Sequence, residues 1–225
     1  PFDWVGLDIA DPSEKVSIAM FVDAVLPPIE AALKAGRPVI CVGGSHFYER
    51  ALIDGISPGA PSDPDFQSQL NQYSSQELQT QLLSFDPRWE KIHVNDRYRL
   101  TRYLDLVARQ GLSFDELNQQ TPRSWDVTTT SIFGLTETPE KIRERMRMRI
   151  REMRTRGWLD EVRELVAAYS GDAPALQTIG YREIKEHLHM GGSDGELIEN
   201  ILVSHMQLAK KQRTWLRGMR GKTSD

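Results

Sequence analysis

The sequence predicts an α/β protein with a helical insertion and a helix-rich second half, on three observations. Pro38-Val39-Ile40-Cys41-Val42 is a short apolar run that stops at Gly43-Gly44 and leads into a helical pattern, the strand, turn, helix order of an α/β core. From Asp65 to about Gln120 the chain turns polar and rich in Gln, Asn, Asp and Arg, as an inserted helical domain does. After Pro139 helical periodicity runs nearly unbroken, apart from Gly171–Gly180 and Gly191–Gly195.

Each element follows from its residues. Between Ser13 and Gly36, Ile18, Phe21, Val22, Val25 and Leu26 recur at helical spacing, Pro27-Pro28 interrupt, and Ile29, Ala32 and Leu33 resume the face. Gly36 suits the C-terminal cap, and a buried strand to Val42 follows. Phe47 to Asp54 is a short helix closed by Gly55 and a Pro/Ser/Asp-rich loop. Leu70, Leu78, Leu82 and Leu83 mark one helix of the insertion; Leu100, Leu104 and Val107 mark another, ended by Gly111. Val127 to Leu135, rich in Val, Thr, Ile and Phe, returns the chain to the sheet.

Hydrophobic residues make up 39% of the 225, enough for a core, and no apolar run approaches the length that crosses a bilayer. No secretory signal opens the chain, which begins with Pro1. The single cysteine, Cys41, cannot form an internal disulfide, which suits a reducing cytoplasm, and its apolar setting predicts a buried, inert thiol. The net charge of −4 is uneven: residues 1–96 carry −8 and the remainder +4. A polyanionic partner is therefore expected for the second half.

Two helices place cations where apolar residues belong. Lys141–Met153 has arginine at every second position from 143 to 151, while Ile142, Met146, Ile150 and Met153 form one face. Arg149 falls within that face and needs an anionic partner; a structural ion pair, an outward-reaching stem and a phosphate ligand all satisfy that need. In the last helix, about Asp194–Met219, Leu197, Ile201, Leu208 and Trp215 define the inner face with His205 and Gln212, and Lys210, Arg213, Arg217 and Arg220 gather opposite. Such a face suits a nucleic-acid backbone, or solvent. His187 and His189, two apart, point to different sides of a helix and do not chelate. Gly221-Lys222-Thr223 is not a phosphate loop, since a helix precedes it and Gly218 stands two residues too close.

Five segments then occur in a telling order: GGSHFYERALIDG (43–55), IHVNDRYRLTRYLDL (92–106), IREM with GWLDEV (150–162), IGYREIKEHL (179–188) and AKKQRTWLRG (209–218), with DIADP at 8–12. Together they resemble the tRNA dimethylallyltransferases over nearly the whole chain. The resemblance implies a P-loop NTPase-like α/β core, residues 1–58 and 125–225, carrying a helical insertion, 59–124. It implies transfer of the dimethylallyl group of dimethylallyl diphosphate, with Mg²⁺, to the exocyclic amine of the adenosine 3′ of the tRNA anticodon. The base is flipped from its loop into a channel. The partners are the anticodon stem-loop and dimethylallyl diphosphate, for a cytoplasmic monomer without membrane contact.

The same resemblance assigns residues. Gly43-Gly44-Ser45 matches the family's Gly-Gly-Thr, so the glycines crowd the reaction channel and the Ser45 hydroxyl meets the reacting groups and the tRNA. Arg149 matches the arginine that faces the diphosphate, a catalytic role. Tyr98, Arg99, Leu100, Thr101 and Arg102 match a tRNA-contacting stretch. So do Gln177, Thr178, Ile179, Gly180, Tyr181 and Arg182, and so do Lys210, Lys211, Gln212, Arg213, Thr214, Trp215 and Arg217. No protein ligand to a metal is expected. The family's phosphate loop and its aspartate base lie upstream of DIADP, Trp4-Val5 replace paired histidines, and an arginine near Asp63–Gln69 is absent. The chain thus reads as the bulk of such an enzyme without its first strand, loop and helix. The alternatives are an isopentenyltransferase acting on adenylate and a catalytically inactive RNA-binding module; the insertion and the basic face favour tRNA.

Overall fold

The computed structural model describes residues 3–56, 59, 62–118, 131–135 and 137–220, and every regular element among them is helical. Helix α1 (Ile18–Lys34) starts where Ser17 accepts a hydrogen bond from the Met20 amide. It ends in a Schellman motif: Gly36, at φ +68°, donates to Leu33 O (2.9 Å) and Arg37 to Ala32 O (2.9 Å). Pro27 and Pro28 do not interrupt it. The carbonyls they leave without donors belong to Asp23 and Ala24, both on the exposed side, where water serves instead.

The expected strand at 38–42 does not form a ladder with any described residue. It is unpaired, with Ile40 77% and Val42 82% exposed, and Cys41 is exposed rather than buried. A strand exists only with a neighbour. Residues 127–130 of the other expected strand lie outside the described residues, and 131–135 is likewise unpaired, with Phe133 and Leu135 bare to solvent.

The chain divides into two units, Pro1–Glu49 with Val127–Asp225, and Arg50–Asp126. Helix α2 (His46–Asp54) runs from the first into the second. The second unit then builds α3 (Pro64–Leu70), α4 (Ser75–Phe85), a 3₁₀ turn at Pro87–Lys91, α5 (Arg97–Leu104) with a π turn at Asp105–Arg109, and α6 (Phe114–Asn118). The leucines read as one helix are split: Leu70 closes α3, while Leu78 and Leu82 belong to α4. Asp63 caps α3, and Ser74 with Glu77 forms a reciprocal capping box on α4. Leu78, Leu82, Trp89, Ile92, Leu100, Leu104 and Leu117 form its core. Asp105, fully buried, is held by Arg102 (3.1 Å), Arg109 (2.5 Å) and Gln110 (3.1 Å).

The first unit is completed by α7 (Pro139–Thr155), α8 (Trp158–Ala168), a 3₁₀ turn at Pro174–Gln177, α9 (Tyr181–Met190) and α10 (Asp194–Arg220). Its core joins Ile150 of α7, Trp158 and Val162 of α8, Ile184 of α9 and Leu197, Ile201 and Leu202 of α10. Asp11 of the DIADP segment docks here, accepting from the Tyr169 hydroxyl (3.0 Å). No helix among the described residues is long and apolar enough to cross a membrane.

The two cores are separate, so damage to one should stay local. Leu78→Ala should cost about 2–5 kcal/mol. Hydrogen exchange should then quicken across 64–118 and stay unchanged across 139–220.

Candidate active site

Helices α7, α9 and α10 enclose a cavity of about 380 Å³ in the first unit. Its walls are mostly apolar: Ile142, Met146 and Met153 of α7, Trp158, Ile179, and Leu208 and Leu216 of α10. Arg149, His205, Gln212 and Arg213 also line it. Arg149 is not buried, as its inward position suggested; it is exposed and reaches the wall beside the sealed Ile150.

Four of the six arginines of α7 form ion pairs; among the described residues Arg149 and Arg151 do not, and of these two only Arg149 lines the cavity. Arg143 and Arg147 both reach Glu199 of α10, at 3.5 and 2.6 Å. Arg145 reaches Glu137 (3.6 Å) and Arg154 reaches Asp194 (2.7 Å). Among the described residues neither Arg149 nor Arg213 forms an ion pair, and both line the cavity. Arg213 was expected on the opposite face with Lys210 and Arg217; it is half-buried on the cavity side, while those two are exposed. The apolar stripe that packs is Leu197, Ile201 and Leu202, which turns the inner face toward Ala209 and Leu216 and brings Arg213 to its edge. The side chain of Arg220 lies outside those described.

His205 also faces the cavity. Burial lowers its pKa, the Arg149 charge adds to this, and Glu183 opposes both, so the imidazole is neutral at pH 7. Tyr181 is pushed up to about 12 by burial and by its hydrogen bond to Glu161 (2.7 Å).

The stretch Gln177–Arg182 is tied down by the fold. Gln177 donates to Gly171 O (3.1 Å), Thr178 to Ala175 O (2.7 Å), and Ile179 lines the cavity. Gly180 sits at φ +93°, and a Cβ there would meet the Trp158 ring at 2.3 Å, so only glycine fits. Arg182 reaches Glu183 (2.8 Å). In the second unit the side chains of Leu100 and Thr101 are buried; Tyr98 is 72% exposed, Arg99 pairs with Asp96 (2.9 Å) and Arg102 with Asp105. Tyr98, Lys210, Lys211, Thr214 and Arg217 are exposed.

Sequence reasoning missed Glu183, the buried carboxylate that accepts from Gly180 N (2.7 Å), Ser204 Oγ (2.6 Å) and Arg182. The Glu-x-x spacing behind Gly180 is a helix-start signal that could have found it. Ser45, exposed, lies just before α2, and its carbonyl accepts from Glu49 N (3.1 Å). Gly44 is crowded by Gln212, whose Nε2 donates to its carbonyl (3.0 Å); Gly43 meets nothing.

The family model described as IPP transferase matches residues 2–219. The chain belongs to that family. A tRNA dimethylallyltransferase of Synechococcus sp. is 30% identical over 213 residues, covering 94% of this chain and 68% of the relative. One of Cyanothece sp. is also 30% identical, with 94% and 69% covered. The full-length tRNA isopentenylpyrophosphate transferase of Bacillus halodurans superposes at TM-score 0.61 with 29% identity, covering 93% of this chain and 67% of that one. A eukaryotic dimethylallyltransferase acting on tRNA superposes at 0.72, with 24% identity and 92% and 54% covered, which supports the fold.

Glu183 generates a pH prediction for this chain. Burial alone would raise its carboxyl pKa, but the hydrogen bonds from Ser204, Gly180 and Arg182 outweigh it and hold the group below its ordinary value. A carboxylate with a depressed folded pKa stabilises the protein above its unfolded pKa of about 4.3 and loses that contribution as pH falls through the folded value. Glu183→Gln should therefore cost about 1–3 kcal/mol at pH 7 in urea unfolding. The difference from the native chain should shrink as pH drops below about 4.

Proposed function

We propose that this chain transfers the dimethylallyl group of dimethylallyl diphosphate to the exocyclic amine of the adenosine 3′ of the anticodon in tRNA, acting in the cytoplasm as a single chain. The observation that carries this reading is the cavity: apolar walls for a short branched hydrocarbon, with Arg149 and Arg213 unpaired at its edge for an anionic head. Family membership and the names of the relatives support the same chemistry. In the transfer, the amine nitrogen bonds to the allylic carbon as the carbon–oxygen bond breaks. The electron pair leaves with diphosphate and the amine loses one proton. Arg149 stabilises the negative charge that grows on the leaving group, and that charge is greatest in the transition state.

The exposed cations on α10, Lys210, Lys211 and Arg217, suit the phosphate backbone of the anticodon stem-loop. Tyr98 of the second unit offers an exposed ring and Arg99 a charged neighbour; this unit is read as the inserted domain. Residues 38–42 and 131–135 are read as strands of the α/β core, because their bare apolar side chains have the character of sheet residues without neighbours. Among the described residues no group of three or more His, Cys, Asp or Glu could hold a metal ion, and Glu137, on the cavity wall, already faces Lys141 (3.4 Å) and Arg145. Magnesium would therefore be held mainly by the oxygens of the diphosphate and by water.

Arg149→Ala should lower prenyl transfer to an anticodon stem-loop by about 100-fold or more while changing RNA affinity less than about threefold. Single-turnover transfer with labelled dimethylallyl diphosphate, alongside an RNA titration, measures both. Equal losses would remove Arg149 from the diphosphate.

A further inference from the structure

The resemblance places Gln212 and Trp215 among residues that contact tRNA, but their side chains are engaged elsewhere. Gln212 crosses 168 positions of sequence to donate from Nε2 to the carbonyl of Gly44 at 3.0 Å. One turn further along α10, Trp215 stacks on His46 with ring centroids 4.4 Å apart and planes 6° from parallel. These two contacts bracket Ser45. The space for the first is reserved by Gly44, since a Cβ there would lie 2.1 Å from Gln212 Nε2. Otherwise the loop is held lightly: residues 41–45 are exposed, and the run before them pairs with nothing among the described residues.

We propose that Gln212 and Trp215 are positioning residues, a clasp that holds the Ser45 loop on α10 beside the cavity that Gln212 shares with Arg149. This rests on the transfer reading for its catalytic meaning. The clasp makes a physical division of labour along one helix. Lys210, Lys211 and Arg217 look outward to solvent, while Gln212 and Trp215 look inward to the loop. Seating of α10 then sets where the Ser45 hydroxyl stands relative to the Arg149 guanidinium. Placement of a reacting group governs the chemical step more than the binding step.

The test combines kinetics with a probe that needs no activity. Cys41 is the only cysteine and is exposed, three residues before Gly44, so a nitroxide label can be attached in the otherwise native chain. Gln212→Ala removes the donor, Gln212→Glu keeps its size without the donor, and Gly44→Ala displaces the amide without altering α10. Each should sharpen the label's spectrum and lower kcat about tenfold, with KM for an anticodon stem-loop within about twofold. The double variant Gly44→Ala/Gln212→Ala should be no worse than either single one, because both break the same contact. Trp215→Phe should retain most activity and Trp215→Ala should not.

A rise in KM with kcat unchanged would return Gln212 to the RNA interface and overturn the clasp. So would a label whose mobility in all three variants is unchanged from that in the native chain. If the native chain transfers no prenyl group, the functional reading fails, and the label spectra still decide whether the clasp exists. Circular dichroism separates both from loss of fold.

Discussion

Ile150 of α7 and Leu197, Ile201 and Leu202 of α10 are almost wholly removed from water, and the seam they form sets where the candidate ligand contacts of the first unit stand. Seating these residues fixes the rotation of α10. That rotation brings His205, Gln212 and Arg213 to the cavity and leaves Lys210 and Arg217 in solvent. It also brings Arg149, adjacent to Ile150, to the cavity wall. Glu199 reinforces the seam from outside by accepting from Arg147 and pairing with Arg143, though exposed pairs of this kind contribute little alone.

Electrostatics at the cavity follows from what surrounds each group. Four of the six arginines of α7 pair with a carboxylate on α10 or just before the helix, so they act as fasteners. Arg149 and Arg213 line the cavity without an ion pair among the described residues. His205, kept neutral by burial and by Arg149, adds no third charge at pH 7. Glu183 works one layer deeper: its three hydrogen bonds join the start of α9 to Ser204 of α10, and Gly180 makes room there for Trp158.

Much of this was legible in the sequence, and the failures have physical causes. Helix periodicity located most helices, because those patterns are local. The capping boxes Ser74/Glu77, Ser113/Glu116 and Ser193/Glu196 were there to be read as helix starts and went unused. Pro27 and Pro28 misled because a helix tolerates lost donors where water can reach the carbonyls. Arg213 was misplaced because an ideal wheel drawn through Leu208 differs from the face set by Leu202, and only packing against α7 chooses between them. Non-local facts could not be read at all: that Gly180 makes room for Trp158, that Gln212 reaches Gly44, and whether the apolar run at 38–42 has a neighbour.

The central claim is that the cavity binds a prenyl diphosphate, anion and hydrocarbon together. The most direct measurement is calorimetric titration of the chain with inorganic pyrophosphate and with dimethylallyl diphosphate under the same conditions. Burial of the five-carbon tail should make the prenyl compound bind at least about tenfold tighter, at about 0.8 kcal/mol per buried methylene. Equal affinities would mean that only charge is recognised and that the apolar walls bind something else.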